Sequence, residues 1–186
     1  MPYLRCMINT HLQQFEFRVG IPEDAFSIGM LAKRVFCDNY ANCNIRQDLV
    51  NEVMLNYEPK LFEQRLKETT RHFVLAEKSG KLIAFSECET SSEYSEPELS
   101  SLSHGVELVR LYVDPDWQRQ GIGYELISQA ETYTKSLAKP YLWLLAWSKN
   151  LKAIAFYQAQ GYVNIGTADY VYQEDTFTNC IYQKVF

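Results

Sequence analysis

Large apolar residues alternate with charged ones near the start of the chain and then adopt a wider spacing. The alternation over residues 15–19 predicts a first strand that ends at Gly20. Proline and acidic residues at 22–24 suit the first turn of a helix. The apolar positions that follow have helical spacing, namely Ala25, Ile28, Leu31, Ala32, Val35 and Phe36. Two further helices are predicted at about 47–57 and 61–68.

Two short apolar runs and the turn between them dominate the middle of the chain. Residues 72–77 and 82–87 flank a Lys-Ser-Gly-Lys turn, which predicts a β-hairpin. Residues 90–105 are rich in Ser and Glu, contain one Pro, and are predicted to form a loop. A strand is predicted at 108–113, directly after this loop.

Helical and strand patterns then alternate towards the C-terminus. A helix is predicted at 124–137, with one apolar face formed by Leu126, Ile127, Ala130, Tyr133 and Leu137. The apolar run 141–147 predicts a buried strand, and a short helix at about 150–160 ends at Gly161, a typical C-cap residue. Two last strands are predicted at 162–168 and 180–186. This order predicts an α/β fold in which helices flank a mixed sheet.

The composition is that of a globular protein with a sizeable core. The 186 residues suit a single domain over 1–186, and 47% of them are hydrophobic. The net charge of −5 argues against nucleic acid as a partner, because phosphate binding needs a positive surface. No apolar run reaches the roughly 18 residues of a membrane span. Residues 1–14 resemble neither a secretory signal nor a transit peptide, so we expect no membrane partner and a cytoplasmic location.

The cysteines give no indication of a covalent framework or a metal site. There are five of them, an odd number, and no Cys-x-x-Cys pair occurs. A disulfide framework or a zinc site is therefore not expected, and reduced thiols in a cytosolic protein fit better. We expect the protein to hold no metal.

The most informative segment joins a strand to the start of a helix. The strand at 107–113 leads through the tight turn 114–117 into Gln-Arg-Gln-Gly-Ile-Gly at 118–123. Gly121 and Gly123 have no Cβ, so a ligand can approach the backbone closely. The first N–H groups of a helix are unpaired and carry positive potential, which suits a pyrophosphate.

Two other nucleotide-binding motifs do not fit this segment. A dinucleotide-binding fingerprint needs a third Gly or Ala where Leu126 stands, and a P-loop needs Gly-Lys-Ser/Thr, which is absent. A structural alternative remains, in which Gly121 and Gly123 only allow the strand and helix to pack tightly.

Two motifs in this chain resemble those of the GNAT superfamily of N-acetyltransferases, and they occur in the same order as in that family. Residues 118–123 with the preceding strand resemble motif A, and residues 147–162 resemble motif B. The resemblance implies a mixed, mostly antiparallel sheet of about seven strands, flanked by helices and splayed at the motif A strand. It also implies an acyltransferase that moves acetyl from acetyl-CoA to an amine. The C-terminal half further resembles the PaiA-type polyamine N-acetyltransferases, which suggests a polyamine as the acceptor.

The resemblance assigns residues to the binding of acetyl-CoA. The backbone of the motif A strand would pair with pantetheine at Leu111, Tyr112 and Val113. The pyrophosphate would lie on the amides of Gln118, Arg119, Gln120, Gly121, Ile122 and Gly123. Asn150 would bind CoA or cap its own helix.

The resemblance also indicates two catalytic residues. Tyr157 would protonate the departing thiolate and lie near the CoA sulfur, unless it is simply a core residue. Glu107 would act as the general base, directly or through water, unless it is an exposed glutamate at a strand end. An amine with a pKa near 10.4 loses its proton at a cost of about 4.6 kcal/mol at pH 7, which makes such a base useful. His104 is a weaker candidate base, and Arg110 is expected only to pair with a carboxylate.

The region next to this strand is acidic. It contains Glu87, Glu89, Glu93, Glu96, Glu98 and Glu107, with no Lys or Arg between residues 87 and 107. Such a run attracts a cationic amine, or else it is an ordinary solvated loop. The expected partner is a small-molecule amine, and the chain is expected to be a monomer or a homodimer. In this family the acceptor pocket comes from a variable region, here 39–57, and from the terminal hairpin.

Other functions and acceptors remain open at this point. An aminoglycoside-like molecule, an amino acid, a protein N-terminus or a lysine side chain would also serve as the acceptor amine. A non-catalytic module that binds or senses acyl-CoA on the same fold is the alternative from another functional class.

Overall fold

Seven strands build the sheet of this protein in the computed structural model, which describes residues 12, 14–40, 47–94, 96–172 and 175–186. They are β1 (Glu16–Val19), β2 (Arg71–Lys78), β3 (Lys81–Glu89), β4 (Val106–Val113), β5 (Tyr141–Trp147), β6 (Val163–Tyr172) and β7 (Asp175–Val185). Their order across the sheet is β1-β2-β3-β4-β5-β7-β6. β4 and β5 are parallel, while the pairs β1–β2, β5–β7 and β6–β7 are antiparallel. The predicted mixed sheet of about seven strands is confirmed.

Helices connect the strands, and all but one of those described lie where the spacing of apolar residues predicts them. They are α1 (Ala25–Tyr40), α2 (Gln47–Asn56), α3 (Pro59–Lys67), α4 (Pro97–Ser100), α5 (Ile122–Ser136) and α6 (Leu151–Ala159). Short 3₁₀ turns precede α1 at Pro22–Asp24 and α5 at Pro115–Trp117. Within the described part of the chain, no helix is long and apolar enough to cross a membrane.

Three elements differ from the predictions. The predicted loop 90–105 contains α4, a single helical turn that begins at a proline and buries Leu99. The last two strands are longer than predicted, and their antiparallel register runs from Val163–Gln183 to Tyr172–Asp175. Backbone pairing extends β7 through polar residues such as Thr176 and Thr178, which show no apolar alternation.

By its internal packing the chain divides into two compact units, which are described separately. The first unit comprises the chain up to Glu87 together with Arg110–Ser128. One apolar cluster of this unit joins α1 and α3 to β2 and β3, and its fully buried members include Ile28, Phe62, Leu75 and Phe85. A second cluster joins β2 and β3 to the start of α5, and it contains Val74, Ala76, Ile122 and Leu126. Neighbouring residues of β2 thus serve opposite faces of the sheet.

The second unit comprises Cys88–Val109 and Gln129–Phe186. Trp143 of β5 is 1% exposed and packs with Ile181 of β7 and with Leu99 and Leu102 from the segment between β3 and β4. That segment therefore covers one face of β5. A single domain over the whole chain stays a prediction.

Candidate active site

The turn between β4 and α5 is fixed from two directions in the first unit. The Asp114 side chain accepts a hydrogen bond from the backbone N–H of Asp116 at 3.0 Å, and the Asp114 N–H donates to the carbonyl of Ile83 at 2.9 Å. Arg34 of α1 pairs with Asp114 at 3.1 Å and with Asp116 at 2.6 Å. These contacts hold the path of the chain into α5.

The start of α5 has a backbone that favours glycine and exposes amide groups. Gly121 has a φ of 84°, in the left-handed region, and its carbonyl accepts the first helical hydrogen bond from Glu125 at 3.1 Å. The backbone N–H groups of the first turn before Glu125 therefore have no acceptor within the helix. Ile122 is buried and anchors this turn, and Gly123 presents no side chain to a ligand. Arg119 also has a positive φ, 59°, and its side chain is exposed. This arrangement fits an anionic ligand such as a pyrophosphate.

The end of β4 places alternate side chains in different environments. Leu111 and Val113 pack with the cluster under α5, whereas Tyr112 packs with the cluster under α1 and α3. The Tyr112 hydroxyl lies 3.0 Å from that of Tyr57. β4 pairs with β5 at Val106–Leu142 and Glu107–Trp143, at the beginning of β4.

Glu107 is buried in the second unit, with 5% of its surface exposed. Its carboxylate accepts hydrogen bonds from Ser92 Oγ at 2.5 Å and from the Tyr94 hydroxyl at 2.9 Å. The Tyr94 ring packs against Trp143, with the ring centroids 5.8 Å apart. The alternative that Glu107 is an exposed glutamate is wrong, because the segment before β4 folds back and buries it. Ser92 and Tyr94 were not predicted to belong to the site.

The acidic run is not a uniform solvated loop. Glu87 is fully buried and pairs with Arg71 at 2.6 Å and with Arg110 at 2.5 Å. Glu89 is buried and accepts hydrogen bonds from the N–H groups of Thr90 and Ser91, each at 3.0 Å. Exposed carboxylates in the run are Glu93, Glu96 and Glu98. The expected pairing of Arg110 with a carboxylate is confirmed.

Helix α6 carries the motif B residues in the second unit. The Asn150 side chain accepts a hydrogen bond from the N–H of Ala153 at 3.2 Å, so its predicted role as a helix cap is confirmed. Tyr157 is half-buried, and its ring lies 5.3 Å from that of Phe156 and 6.0 Å from that of Tyr162. Gly161 ends the helix with a φ of 84°, as the sequence predicted.

Tyr162, whose ring contacts that of Tyr157, has its hydroxyl hydrogen-bonded to Glu131. Tyr162 is buried, and its hydroxyl donates to Glu131 at 3.3 Å, while Lys184 donates to the same Glu131 oxygen at 2.7 Å. Burial and the neighbouring Glu131 raise the pKa of Tyr162 well above its usual range. The Tyr162 hydroxyl is therefore a poor proton donor.

The remaining candidates have no clear place in this arrangement. His104 is exposed, and burial lowers the pKa of the half-buried His72. His11 lies outside the described residues, as does the part of the variable region at 41–46. In the described ranges, no three His, Cys, Asp or Glu side chains are placed to hold a metal ion.

Comparisons with known proteins agree with this geometry. A family model described as the Acetyltransferase (GNAT) family matches residues 40–162, more than half of the chain. An uncharacterized N-acetyltransferase encoded in the pepI 3' region of Lactobacillus delbrueckii subsp. lactis is 21% identical over 154 residues. That alignment covers 83% of this chain and 87% of the relative.

Solved structures share the fold at low sequence identity. The PaiA N-acetyltransferase of Thermoplasma acidophilum, in complex with coenzyme A, has a TM-score of 0.71 at 19% identity and covers 92% of this chain and 99% of its own. The yncA protein of Salmonella typhimurium, solved with its cofactor acetyl-CoA, has a TM-score of 0.64 at 16% identity, covering 92% and 94%. These likenesses confirm the predicted fold class.

Proposed function

Because this chain belongs to the acetyltransferase (GNAT) family, we propose that it transfers an acetyl group from acetyl-CoA to a primary amine by direct attack. The observation that carries the proposal is the start of α5, where the left-handed Gly121 leads into a helix turn with unpaired amides. This turn follows directly on β4, so a pyrophosphate site and a strand for pantetheine are adjacent in the first unit.

The proposed binding of acetyl-CoA uses backbone groups. The amides of residues 119–123 hold the pyrophosphate, whereas the predicted Gln118 N–H already donates to the carbonyl of Pro115 at 3.5 Å. The N–H and C=O groups of residues 111–113 pair with the amides of pantetheine. The pairs that join β4 to β5 lie at residues 106 and 107, before residues 111–113, which supports this use of the strand. Because one lone pair of the Asn150 oxygen caps α6, its second lone pair and its amide N–H groups remain for CoA.

The proposed chemistry forms one bond and breaks one. The amine nitrogen bonds to the acetyl carbon, the thioester C–S bond breaks, and the products are an acetamide and the CoA thiol. Glu107 accepts the proton that the amine loses, directly or through water. Tyr157 donates its hydroxyl proton to the thiolate, since a thiolate of pKa about 8.5 is a reasonable acceptor from a phenol of pKa about 10.

The polyamine acceptor remains a prediction with reduced electrostatic support. Glu87, Glu89 and Glu107 already have partners within the protein, which leaves the exposed Glu93, Glu96 and Glu98 to attract a polycation. Exposed charges of this kind contribute little and are screened by salt.

Release of the CoA thiol from acetyl-CoA, measured with a panel of amines, tests the proposed function. The panel contains spermidine, an aminoglycoside, amino acids and a peptide with a free N-terminus. Amine-dependent thiol release, together with mass-spectrometric detection of the acetylated amine, is the expected result. If acetyl-CoA binds but no amine releases thiol, the chain is instead a non-catalytic acyl-CoA-binding module.

Substitution of the glycines at the start of α5 tests the pyrophosphate site. Gly123→Val and Gly121→Val are expected to weaken the binding of acetyl-CoA at least about tenfold, or about 1.4 kcal/mol. A Cβ and two methyl groups obstruct the approach of a ligand to the helix amides. Isothermal titration calorimetry measures the affinity, and circular dichroism checks that the variants are folded.

A matched control separates ligand binding from backbone strain. Gly80, in the turn between β2 and β3, has a φ of 71°, and an added Cβ there meets nothing within 4 Å. Gly80→Val therefore introduces strain comparable to that of Gly121→Val, and we expect it to lower stability without changing the affinity for acetyl-CoA. Wild-type affinity in both Gly121→Val and Gly123→Val would remove the pyrophosphate from this turn.

A further inference from the structure

Three arginines of the first unit surround a single buried carboxylate. Glu87 of β3 pairs through one oxygen with Arg71 of β2 and through the other with Arg110 of β4. The guanidinium of Arg65, from α3, lies 5.4 Å from the centre of the Phe62 ring, and that of Arg110 lies 5.7 Å from the same ring. The three cations therefore come from three different elements and gather around one anion.

The charges in this cluster do not balance. Among the residues that the structure describes, the charged groups with the largest effect on Arg65 are Arg110, Glu87, Arg71 and Glu68. With Arg65 included, three positive charges face two negative ones, and Glu68 is bound to Arg71 at 2.6 Å. Burial and the neighbouring Arg110 lower the pKa of Arg65. One positive charge is thus left without a counter-charge in a partly desolvated position, which is unfavourable for stability.

Two nitrogen atoms of the cluster also have no hydrogen-bond partner. Arg65 Nη1 and Arg110 Nε are buried, and neither finds an acceptor among the residues that the structure describes. Glu87 accepts from Arg71 through one oxygen and from Arg110 Nη1 through the other, and it does not accept from these two nitrogen atoms. Buried donors are almost always satisfied in native proteins, so two orphan donors beside an excess positive charge indicate an acceptor that arrives with a ligand.

The location of the cluster connects it to the proposed reaction. Arg110 directly precedes residues 111–113, the part of β4 that would pair with pantetheine. Its guanidinium lies near the rings of Tyr57 and Phe62, on the side of α1 and α3. Leu111 and Val113 instead pack with the start of α5. A group bound by Arg65 and Arg110 therefore lies beside residues 111–113 of β4. It would be surrounded by residues from earlier in the chain, such as Tyr57 and Phe62.

We propose that Arg65 and Arg110 bind a carboxylate of the acceptor, so that the preferred acceptor is an amine of the amino-acid class. This inference rests on the proposed acetyl transfer. A carboxylate supplies the one negative charge that the cluster lacks, and its two oxygens match the fork of donors on a guanidinium. A phosphate, with close to two negative charges near neutral pH, would leave an excess of the opposite sign. A polyamine brings further positive charge and would meet repulsion here.

The first test compares each amino acid with its own carboxamide. Thiol release from acetyl-CoA is measured for the common amino acids, for their carboxamides and for spermidine. We expect at least one amino acid to exceed its carboxamide about tenfold or more in kcat/KM, because only the carboxylate form satisfies the cluster. Equal rates within every pair, or spermidine exceeding every amino acid, would overturn the proposal.

Substitution of Arg65 tests the residue itself. Arg65→Met is expected to abolish the preference for the carboxylate by raising KM for the amino acid about tenfold or more, while KM for acetyl-CoA stays as in the wild type. Arg65→Lys keeps the charge without the fork, and it should restore part of the preference. Lys67→Met is the matched control, since Lys67 lies on the same helix, is exposed and is bound to Glu63. It should behave as the wild type.

Thermal stability distinguishes a binding role from a structural one. Because Arg65 is an uncompensated charge, we expect Arg65→Met without ligand to melt at the wild-type temperature or above it. The wild type should gain stability from the preferred amino acid but not from its carboxamide, and Arg65→Met should lose that gain. A lower melting temperature in Arg65→Met, combined with an unchanged gain from the amino acid, would show that Arg65 only supports the fold.

Calorimetric titration separates this proposal from the proposed function. The amino acids and carboxamides are titrated into the wild type and into Arg65→Met, in the presence of CoA. If no amine releases thiol but amino acids bind selectively and Arg65→Met loses that binding, acetyl transfer is wrong and the carboxylate site stands. If amines are acetylated and no carboxylate selectivity exists in either assay, the family activity stands and the carboxylate site is wrong.

Discussion

Replacement of Tyr157 by Phe is expected to lower kcat by about 10²- to 10⁴-fold, the range of general acid catalysis, and to leave the affinity for acetyl-CoA almost unchanged. The ring of Tyr157 packs against Phe156 and Tyr162, and a Phe ring keeps both contacts. Only the hydroxyl group is lost, and its proton matters when the thiolate departs. Single-turnover measurements of thiol release report the chemical step even where product release limits kcat.

Tyr162 provides the control for this experiment, because its ring contacts that of Tyr157 edge-on and it also carries a hydroxyl. Tyr162→Phe loses the hydrogen bond to Glu131, which typically costs about 1 kcal/mol or more of stability for a buried bond to a charged group. We expect its kcat to stay close to that of the wild type. A Tyr157→Phe single-turnover rate within about threefold of the wild type, far below the expected range, would exclude Tyr157 as the acid.

The strands and helices could be predicted largely because their apolar residues are periodic over whole elements. The fully buried Ile28, Phe62, Leu75 and Phe85 belong to segments whose patterns identify a helix or a strand. The extension of β7 through Thr176 and Thr178 was not predictable in this way, since cross-strand backbone bonds stabilise it rather than apolar spacing. Helix α4 was missed for a related reason, because one turn anchored by Leu99 is too short to show a period.

The surroundings of the candidate site depend on contacts between residues that are distant in the chain. Ser92 and Tyr94, the donors to Glu107, precede it by 15 and 13 residues within a segment that has no periodicity. A chemical argument could have identified them. A buried carboxylate needs hydrogen-bond donors, and the Ser-rich segment directly before β4 contains such donors. The arginine cluster was still less visible, because Glu87 is separated from its partners Arg71 and Arg110 by 16 and 23 positions.

Burial of Glu107 changes what its replacement should do. In the wild type, Ser92 and Tyr94 both donate to the carboxylate, so a Gln at this position keeps one acceptor oxygen and fits the same space. Glu107→Gln is therefore expected to fold, whereas an Ala would leave a cavity beside two buried hydroxyls. We expect kcat/KM of Glu107→Gln at pH 7 to fall by about 10²- to 10⁴-fold, because the proton of the amine has no acceptor during attack.

The pH dependence of this variant separates a general base from a structural residue. With Glu107 as base, the ammonium substrate passes its proton to the Glu107 carboxylate during the reaction, so no proton is released to the solution before the transition state. The value of kcat/KM therefore stays nearly constant with pH below the pKa of the amine. In Glu107→Gln the amine must lose that proton first, so kcat/KM should rise about tenfold per pH unit from about pH 7 to 9 for an amine of pKa near 10.4. The loss of kcat/KM in Glu107→Gln would then become smaller as the pH rises, because the amine is deprotonated in solution before it reacts.

An exposed carboxylate of the same segment gives the control for Glu107. Glu93 is exposed and lies one residue from each of the two donors to Glu107, so Glu93→Gln changes the local charge equally without touching the buried carboxylate. We expect Glu93→Gln to keep the wild-type pH profile. Parallel profiles for the wild type and Glu107→Gln, or a loss in Glu107→Gln that persists unchanged at high pH, would contradict the role of Glu107 as base. The buried carboxylate would then be a structural anchor for the segment that carries Ser92 and Tyr94 over Trp143.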